Sequence, residues 1–579
     1  VLNVPLWQDK LAIRFAGKTR QTDGWGDDLT NDRDVATEDN EFFRLKALFR
    51  PAENLSFLVN AEYLDMDQLG NPVKPVFALK LLDAENPVPG VPPCCLAGTA
   101  ILNYDSFVGG DPYRASYDPG LKPRSKMRMD SLSLTSTWDT EWTTVKLIGG
   151  IRRNHGVSNT LDLDATPTLF VKTTQFGDNE QWSAELQFTG TWMDGRFKYA
   201  LGGYGFDENG HDHGTTGAFA PGVEILTRGH IENASQGGYA QATYYLFEKL
   251  GLTGGVRYSA DQKDLALGAT LSGLVCQIPA ELRDDPSDLL GLDCIGRFSK
   301  DFDNLSYTVG ADYHLLEDVS FFDSMLVYAS RTTGYRSGGQ NLRGASAETL
   351  APFDEETVTQ HEIGAKSDLL ERRVRLNLAG FYTDYDDIQR DAIIAVNGLP
   401  ATVISNAAKA TIKGVELELT ALPPVAGLEL GASFGWVDPQ YDEFVDASGQ
   451  DRTDEQFDDV PEMTYALSGV YSRDVLGLPW LGRVDWAWQD DTLFTRGTGN
   501  YFRNQGVDIE PLTTMPSGGV LNVRTAITIA EKLELALVGR NLTDRERFAF
   551  IPVGQGPDFV SKFVNAPGRE LGGEIRFRF

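Results

Sequence analysis

Gly568-Arg569-Glu570-Leu571-Gly572-Gly573-Glu574-Ile575-Arg576-Phe577-Arg578-Phe579 closes the chain, and its alternation decides the fold. In an extended strand Leu571, Ile575, Phe577 and Phe579 fall on one face, and Glu574, Arg576 and Arg578 fall on the other. In a soluble sandwich the apolar face would meet a second sheet. Here the opposite face carries Glu574, Arg576 and Arg578, which suits lipid on one side and a wide aqueous lumen on the other.

The same period of two recurs along the chain. Leu11, Ile13, Phe15 and Gly17 alternate with Ala12, Arg14, Ala16 and Lys18. Phe43, Leu45, Ala47 and Phe49 alternate with Arg44, Lys46, Leu48 and Arg50, and Leu55, Phe57, Val59, Ala61 and Tyr63 follow after a short turn. Later come Leu428, Leu430, Ala432, Phe434 and Trp436, then Val484, Trp486 and Trp488, then Leu521, Val523, Thr525, Ile527 and Ile529. Short connections (Pro51–Asn54, Met193–Gly195, Leu370–Arg372) alternate with long polar stretches at 69–127, 161–178, 214–230, 267–301, 340–355 and 392–408. That asymmetry belongs to outer-membrane barrels, and loops so long count against a compact soluble domain. About 21 strands are legible, the first of them (Val1–Leu6) clipped. The expected fold class is therefore all-β, a transmembrane antiparallel up-and-down β-barrel of about 22 strands, wide enough to need a plug.

Composition agrees. A chain of 579 residues with no linker, repeat or charge block is improbable as one soluble core and normal for a large barrel. No run approaches the 18 apolar residues of a membrane helix, and the mean hydropathy is -0.27. The 59 glycines, 31 Phe, 20 Tyr and 10 Trp fit turns and interfacial girdles. A net charge of -31 argues against nucleic acid as a partner, because phosphate binding needs a positive surface. The four cysteines suit an oxidising compartment: Cys276 and Cys294 are expected to bridge within one loop, while the state of the adjacent Cys94 and Cys95 stays open.

Tyr328-Ala329-Ser330-Arg331-Thr332-Thr333-Gly334-Tyr335-Arg336-Ser337-Gly338-Gly339 resembles the mid-barrel segment of TonB-dependent outer-membrane receptors. So do Glu356-Thr357-Val358 with Glu362-Ile363-Gly364-Ala365-Lys366, Phe381-Tyr382-Thr383-Asp384-Tyr385, and Lys413-Gly414-Val415-Glu416-Leu417-Glu418. Gly539-Arg540-Asn541-Leu542-Thr543-Asp544 and Asn565-Ala566-Pro567-Gly568-Arg569 are similar to the family's final hairpins, and Asn3-Val4-Pro5-Leu6 to its second strand. The resemblance spans the chain in order. It implies a location in the outer membrane, amid lipid and lipopolysaccharide, and energised import of a scarce nutrient. A ferric siderophore or other iron complex is the cargo resembled most; a carbohydrate or cobalamin importer, or a plugless porin-like passive channel, are the alternatives. It implies TonB, with ExbB and ExbD, as partners acting on a plug, and a barrel-assembly machinery that reads the terminal Phe577 and Phe579. Residues 1–579 are expected to form the barrel domain, with the plug and first strand upstream of this numbering or on another chain, since an open edge in lipid leaves its amides unsatisfied.

Candidate ligand contacts are Arg331, Tyr335 and Arg336, at the outer end of their strand, with Gln340 and Asn341 just beyond. Cations beside aromatics would attract an anionic ferric chelate. The alternative is that Arg331 and Arg336 pair with lumenal carboxylates. His211-Asp212-His213 offers two metal or haem ligands, an incomplete site against the default of a surface pair. Asp27, Asp28, Asn31, Asp32 and Asp34 offer hard oxygen ligands for Ca²⁺, but their spacing fits no EF-hand and favours a solvated loop. The loop 69–127, with Pro87, Pro89, Pro92 and Pro93 before Cys94, is a candidate lid. No nucleophile elbow, P-loop or zinc motif occurs, so neither an enzyme nor a cofactor is expected.

Overall fold

In the computed structural model the chain is almost entirely antiparallel sheet. Residues 1–78, 110–163, 166–167, 171–218, 224–247, 249–284, 294–319, 321–342, 347–396, 399–445, 449, 451–494, 503, 506–553 and 559–578 are described. Cys94, Cys95, the proline-rich part of the first long loop and Phe579 lie outside them. The main sheet has 22 strands, one of which, Val275–Cys276, is a short ladder inside a loop. The others pair in chain order from Leu2–Trp7 to Glu570–Phe577, each antiparallel to the next. Among the described residues no ladder joins the last strand to the first. Loops from the two halves of the chain do pair with each other. Val73–Ala78, after the fourth strand, pairs with Phe559–Val564, just before the last.

The two faces separate as the period of two requires. On the last strand Leu571 and Ile575 are 79% and 77% exposed. On its other face Glu574 accepts from Arg524 Nε at 3.2 Å. Glu534 beside it takes Arg524 at 2.7 Å, Arg576 at 3.3 Å and Arg578 at 3.7 Å. The inner wall is thus an ion-paired lattice, while the outer wall presents side chains that lipid solvates. At the short-turn end Trp192 stacks on Phe197 at 5.8 Å and meets Tyr199 at a tilt with 4.7 Å between ring centres, as in an aromatic girdle.

Three stretches read as long loops are largely strand: 161–178, 214–230 and 392–408. Val171–Trp192 and Phe197–Ala218 stay in register from Trp192↔Phe197 to Val171↔Ala218. The reason is that pairing satisfies main-chain groups whatever the side chains are. Beyond the lipid no apolar face is needed, so the alternation stops while the ladder continues. At the opposite end the turns are tight. Gly427 has φ +83, and a Cβ there would lie 1.9 Å from the Ser472 carbonyl oxygen.

Buried apolar side chains gather where loops fold onto the wall. Leu265, Leu267 and Ala269 meet Ile278, Leu350 and the bonded Cys276–Cys294 pair, whose Cα atoms are 5.5 Å apart. Val35, Val73, Ala115 and Tyr117 form a second cluster. Burial pushes the Tyr117 hydroxyl pKa upward. Beside it, the expectation of a solvated acidic loop fails at Asp28, which is 1% exposed. Its oxygens accept from the Thr30, Asn31 and Tyr117 amides and from Asn31 Nδ2, and Arg33 pairs with it at 2.8 Å. Those donors occupy the lone pairs a Ca²⁺ ion would need; Asp28 organises the loop.

Candidate functional site at the outer mouth

The strand Phe322–Arg336 pairs with its predecessor only as far as Thr308↔Thr332. Beyond that it leans across the inner face of the wall. Tyr335 Oη donates to Asp261 Oδ2 at 3.1 Å, and Gln340 Nε2 donates to the Lys263 carbonyl at 2.8 Å. Both acceptors lie on Leu250–Leu271, two strands away. Gly338 makes this path possible: a Cβ there would stand 2.1 Å from the Phe353 carbonyl oxygen and 2.6 Å from the Phe302 ring.

Asn341, 4% exposed, anchors the loop that follows. Its Nδ2 donates to Ala351 O at 3.2 Å and Ile404 O at 3.0 Å, and its Oδ1 accepts from Ile404 N at 2.8 Å. The hairpin carrying Ile404 rises above Ala408↔Phe444, where its neighbour strand ends. Asn341 therefore covers a bare sheet edge with the donor and acceptor that a further strand would supply. Asn406 repeats the device, donating to Asp354 O at 2.9 Å and accepting from Asp354 N at 2.6 Å.

Arg336 differs. Its Nη1 lies 3.3 Å from Glu356 Oε1, but its side chain is 70% exposed whereas that of Glu356 is 4% exposed. Glu356 is already held by Tyr385 Oη at 2.8 Å and Gln389 N at 2.7 Å. The guanidinium therefore presents charge to the mouth from a fixed base. Arg331 is on the other face: it stands opposite Val309, which is 50% exposed, with its guanidinium 5.8 Å from the Tyr307 ring. The structure brings Tyr335, Arg336, Gln340 and Asn341 to one side of the wall and leaves Arg331 on the lipid side.

Sequence reasoning missed a cation held among aromatics. Arg390 lies 5.4 Å from the Tyr441 ring and 5.1 Å from the Phe457 ring, which stack at 4.1 Å, and it donates to the Tyr441 hydroxyl. Nothing local marks it, because the three residues come from separate segments. His211 and His213 lie on the outer wall, where His230 approaches His211 to 3.2 Å between Nδ1 atoms. Among the described residues no group of three or more metal-ligating side chains is arranged around one point.

The family model of the TonB dependent receptor-like beta-barrel matches residues 88–542. The chain belongs to the TonB-dependent receptor family. It is an outer-membrane β-barrel. A curated relative, the pesticin receptor of Yersinia pestis, is 25% identical over 194 residues, which is 34% of this chain and 24% of that protein. The match thus spans about a quarter of the relative's length. Among solved structures, the ferric yersiniabactin uptake receptor FyuA from Yersinia pestis aligns over 100% of this chain and 77% of its own, with TM-score 0.75 and 17% identity. The siderophore receptor PiuA from Acinetobacter baumannii aligns over 100% and 78%, with TM-score 0.70 and 15% identity. The ferric-catecholate import receptor Fiu from K12 E. coli aligns over 100% and 79%, with TM-score 0.71 and 14% identity. At those identities the likeness shows the fold that TonB-dependent receptors share.

Proposed function

We propose that this chain forms the barrel of a receptor that imports an iron complex, of the ferric-siderophore class, across the outer membrane by a TonB-driven step. The observation that carries the reading is the alignment of the whole chain with receptors described by their ferric chelates, yersiniabactin and catecholate. The mouth adds a compatible chemistry. Arg336 offers an exposed cation on a buried carboxylate base, and Tyr385 donates its hydroxyl to that same carboxylate. Such a constellation attracts an anionic chelate with an aromatic or catechol face. TonB, energised by ExbB and ExbD, would act on a plug inside the lumen.

The test is growth of a deletion strain on single ferric sources under iron limitation, with mass spectrometry of the ligand that co-purifies with the native gene product. Loss of growth on one ferric chelate, restored by the gene, is the expected result. Unchanged growth on every iron source, with expression indifferent to iron, would overturn the cargo assignment. A large constant conductance of the native gene product in planar bilayers would overturn gated import.

A further inference from the structure

The run His211-Asp212-His213 does not close on itself, but the strand register gives His211 a different partner. Strands Phe197–Ala218 and Glu224–Leu246 pair so that His211 stands opposite His230. Both lie on the outer face of the wall, where Leu201, Leu252 and Val256 are 42%, 43% and 53% exposed lower down. Asp212 turns the other way, and its Oδ2 accepts from Gln175 Nε2 at 2.7 Å. The histidine pair is thus separated from the import path by the wall itself.

Hydrogen bonding decides which ring nitrogens are free. His230 Nε2 donates to Glu232 Oε1 at 3.1 Å, and Asn209 Nδ2 donates to the same oxygen at 3.4 Å. A carboxylate can only accept, so the proton of the neutral His230 ring sits on Nε2 and Nδ1 keeps its lone pair. That lone pair meets His211 Nδ1 across 3.2 Å, with ring centres 4.5 Å apart and planes tilted by 30°. Two imidazole nitrogens bound at ~2.0–2.1 Å to one tetrahedral ion stand about 3.3 Å apart. The two atoms are already at that spacing. Without an ion, His211 Nδ1–H donates across the gap. Moving its proton to Nε2, a tautomer shift with no net release, frees a second lone pair, and a turn of the exposed ring about Cβ–Cγ aims it at the same point.

The surroundings favour a cation. Glu232 behind His230 is the carboxylate–histidine arrangement that fixes a ligand's tautomer and raises its basicity. Asp178 stands opposite His211 on the adjoining strand, with one oxygen taken by the Gly156 amide at 2.7 Å. Arg228 is two positions from His230 and is offset by Glu232, two positions the other way; Arg297 is paired with Asp284 at 2.9 Å. Asp178 leaves the balance negative. Ala266, opposite His230, and Gly268 leave a recess of about 310 Å³ beside the pair, room for water to complete a coordination shell. From the girdle residue Tyr199 to His211 the strand climbs about 30 Å, at ~3.3 Å per residue and a tilt of ~40°, whereas the apolar band of such barrels is about 25 Å tall. The recess opens above the hydrocarbon, where hydrated ions reach it.

We propose that His211 and His230 bind a late first-row divalent transition ion as a clip between neighbouring strands, with water in the remaining positions and Glu232 holding His230. Imidazole ligands select this class over Mg²⁺ and Ca²⁺, and the stability order puts Cu²⁺ above Ni²⁺ and Zn²⁺. With two protein ligands the site is weaker than a four-ligand structural one.

The experiment strips the native protein in detergent with EDTA, desalts it, and titrates CuCl₂, counting bound ions by native mass spectrometry and their nitrogen ligands by electron paramagnetic resonance. Wild type should bind one Cu²⁺ more than His211→Gln/His230→Gln, and that ion should carry two imidazole nitrogens. Glu232→Gln should keep the stoichiometry and bind about tenfold more weakly, as loss of a carboxylate behind a ligating histidine does. His213→Gln should bind within twofold of wild type. Heat-modifiable mobility on gels confirms that each variant is folded. Equal stoichiometry in wild type and the double variant overturns the proposal. So does a spectrum with one nitrogen ligand, or a loss in His213→Gln as large as in the double variant.

Discussion

Replacing Asn341 by alanine separates a structural role from a ligand contact. The side chain makes three hydrogen bonds, two as donor and one as acceptor, to backbone groups that are otherwise at a sheet edge. Removing it leaves the Ile404 amide facing a small void, and the Ile404 and Ala351 carbonyls lose a donor each. An unsatisfied buried donor costs about 1–3 kcal/mol, and partial access of water to the carbonyls limits the rest, so the local cost is about 2–4 kcal/mol. Amide exchange in this region follows local opening, so that cost corresponds to roughly 30- to 1000-fold faster exchange of the Ile404 amide. Hydrogen–deuterium exchange with peptide-level mass spectrometry, on peptides covering 347–355 and 403–407, reads the change directly. Strands remote from the mouth, such as Leu533–Arg540, should keep their wild-type rates. Exchange within twofold of wild type at both peptides, together with a loss of cargo affinity, would refute the anchor reasoning and make Asn341 a ligand contact.

Other substitutions follow from the same geometry. Arg336→Ala should weaken binding of an anionic ferric chelate by about 3- to 10-fold, and Arg331→Ala should leave it unchanged, since the two guanidinium groups lie on opposite faces; equilibrium binding of the native receptor checks both. Gly427→Ala, with φ +83 and a carbonyl oxygen 1.9 Å from the new Cβ, should lower stability by about 2–4 kcal/mol. Gly477→Ala, at φ +78 with open space around it, should cost only about 1 kcal/mol, and urea unfolding midpoints in detergent compare the two. Cys276→Ser/Cys294→Ser frees a loop closed over a separation of 18 residues, worth about 3 kcal/mol in chain entropy. Trypsin should then cut at Arg283 far faster than in the oxidised wild type, while wild type treated with reductant should behave like the variant.

How much of this was legible in the sequence depends on which physics writes each feature. Lipid imposes an apolar side chain at every second position, so the wall and its facing were readable from Leu571 and Ile575 or from Leu430 and Phe434. Above the lipid nothing constrains side chains, and Val171–Trp192 and Leu399–Ala421 hide their upper halves in sequence without the lipid-facing alternation, polar in the first and largely apolar in the second. The mouth was harder still, because its contacts are remote: Tyr335 meets Asp261 across 74 residues, and Asn341 meets Ile404 across 63. Two signals did stand in the sequence unused. Arg331 and Arg336 are separated by an odd number of positions, which on a strand already sends them to opposite faces. The register that sets Phe197 against Tyr244 at the girdle also runs unbroken to His211 against His230. Pairing at the membrane base of a hairpin therefore fixes, residue by residue, what meets above the lipid. In a barrel of this kind, which side chains meet on the outer wall is written into the strand registers even where hydropathy has nothing left to say.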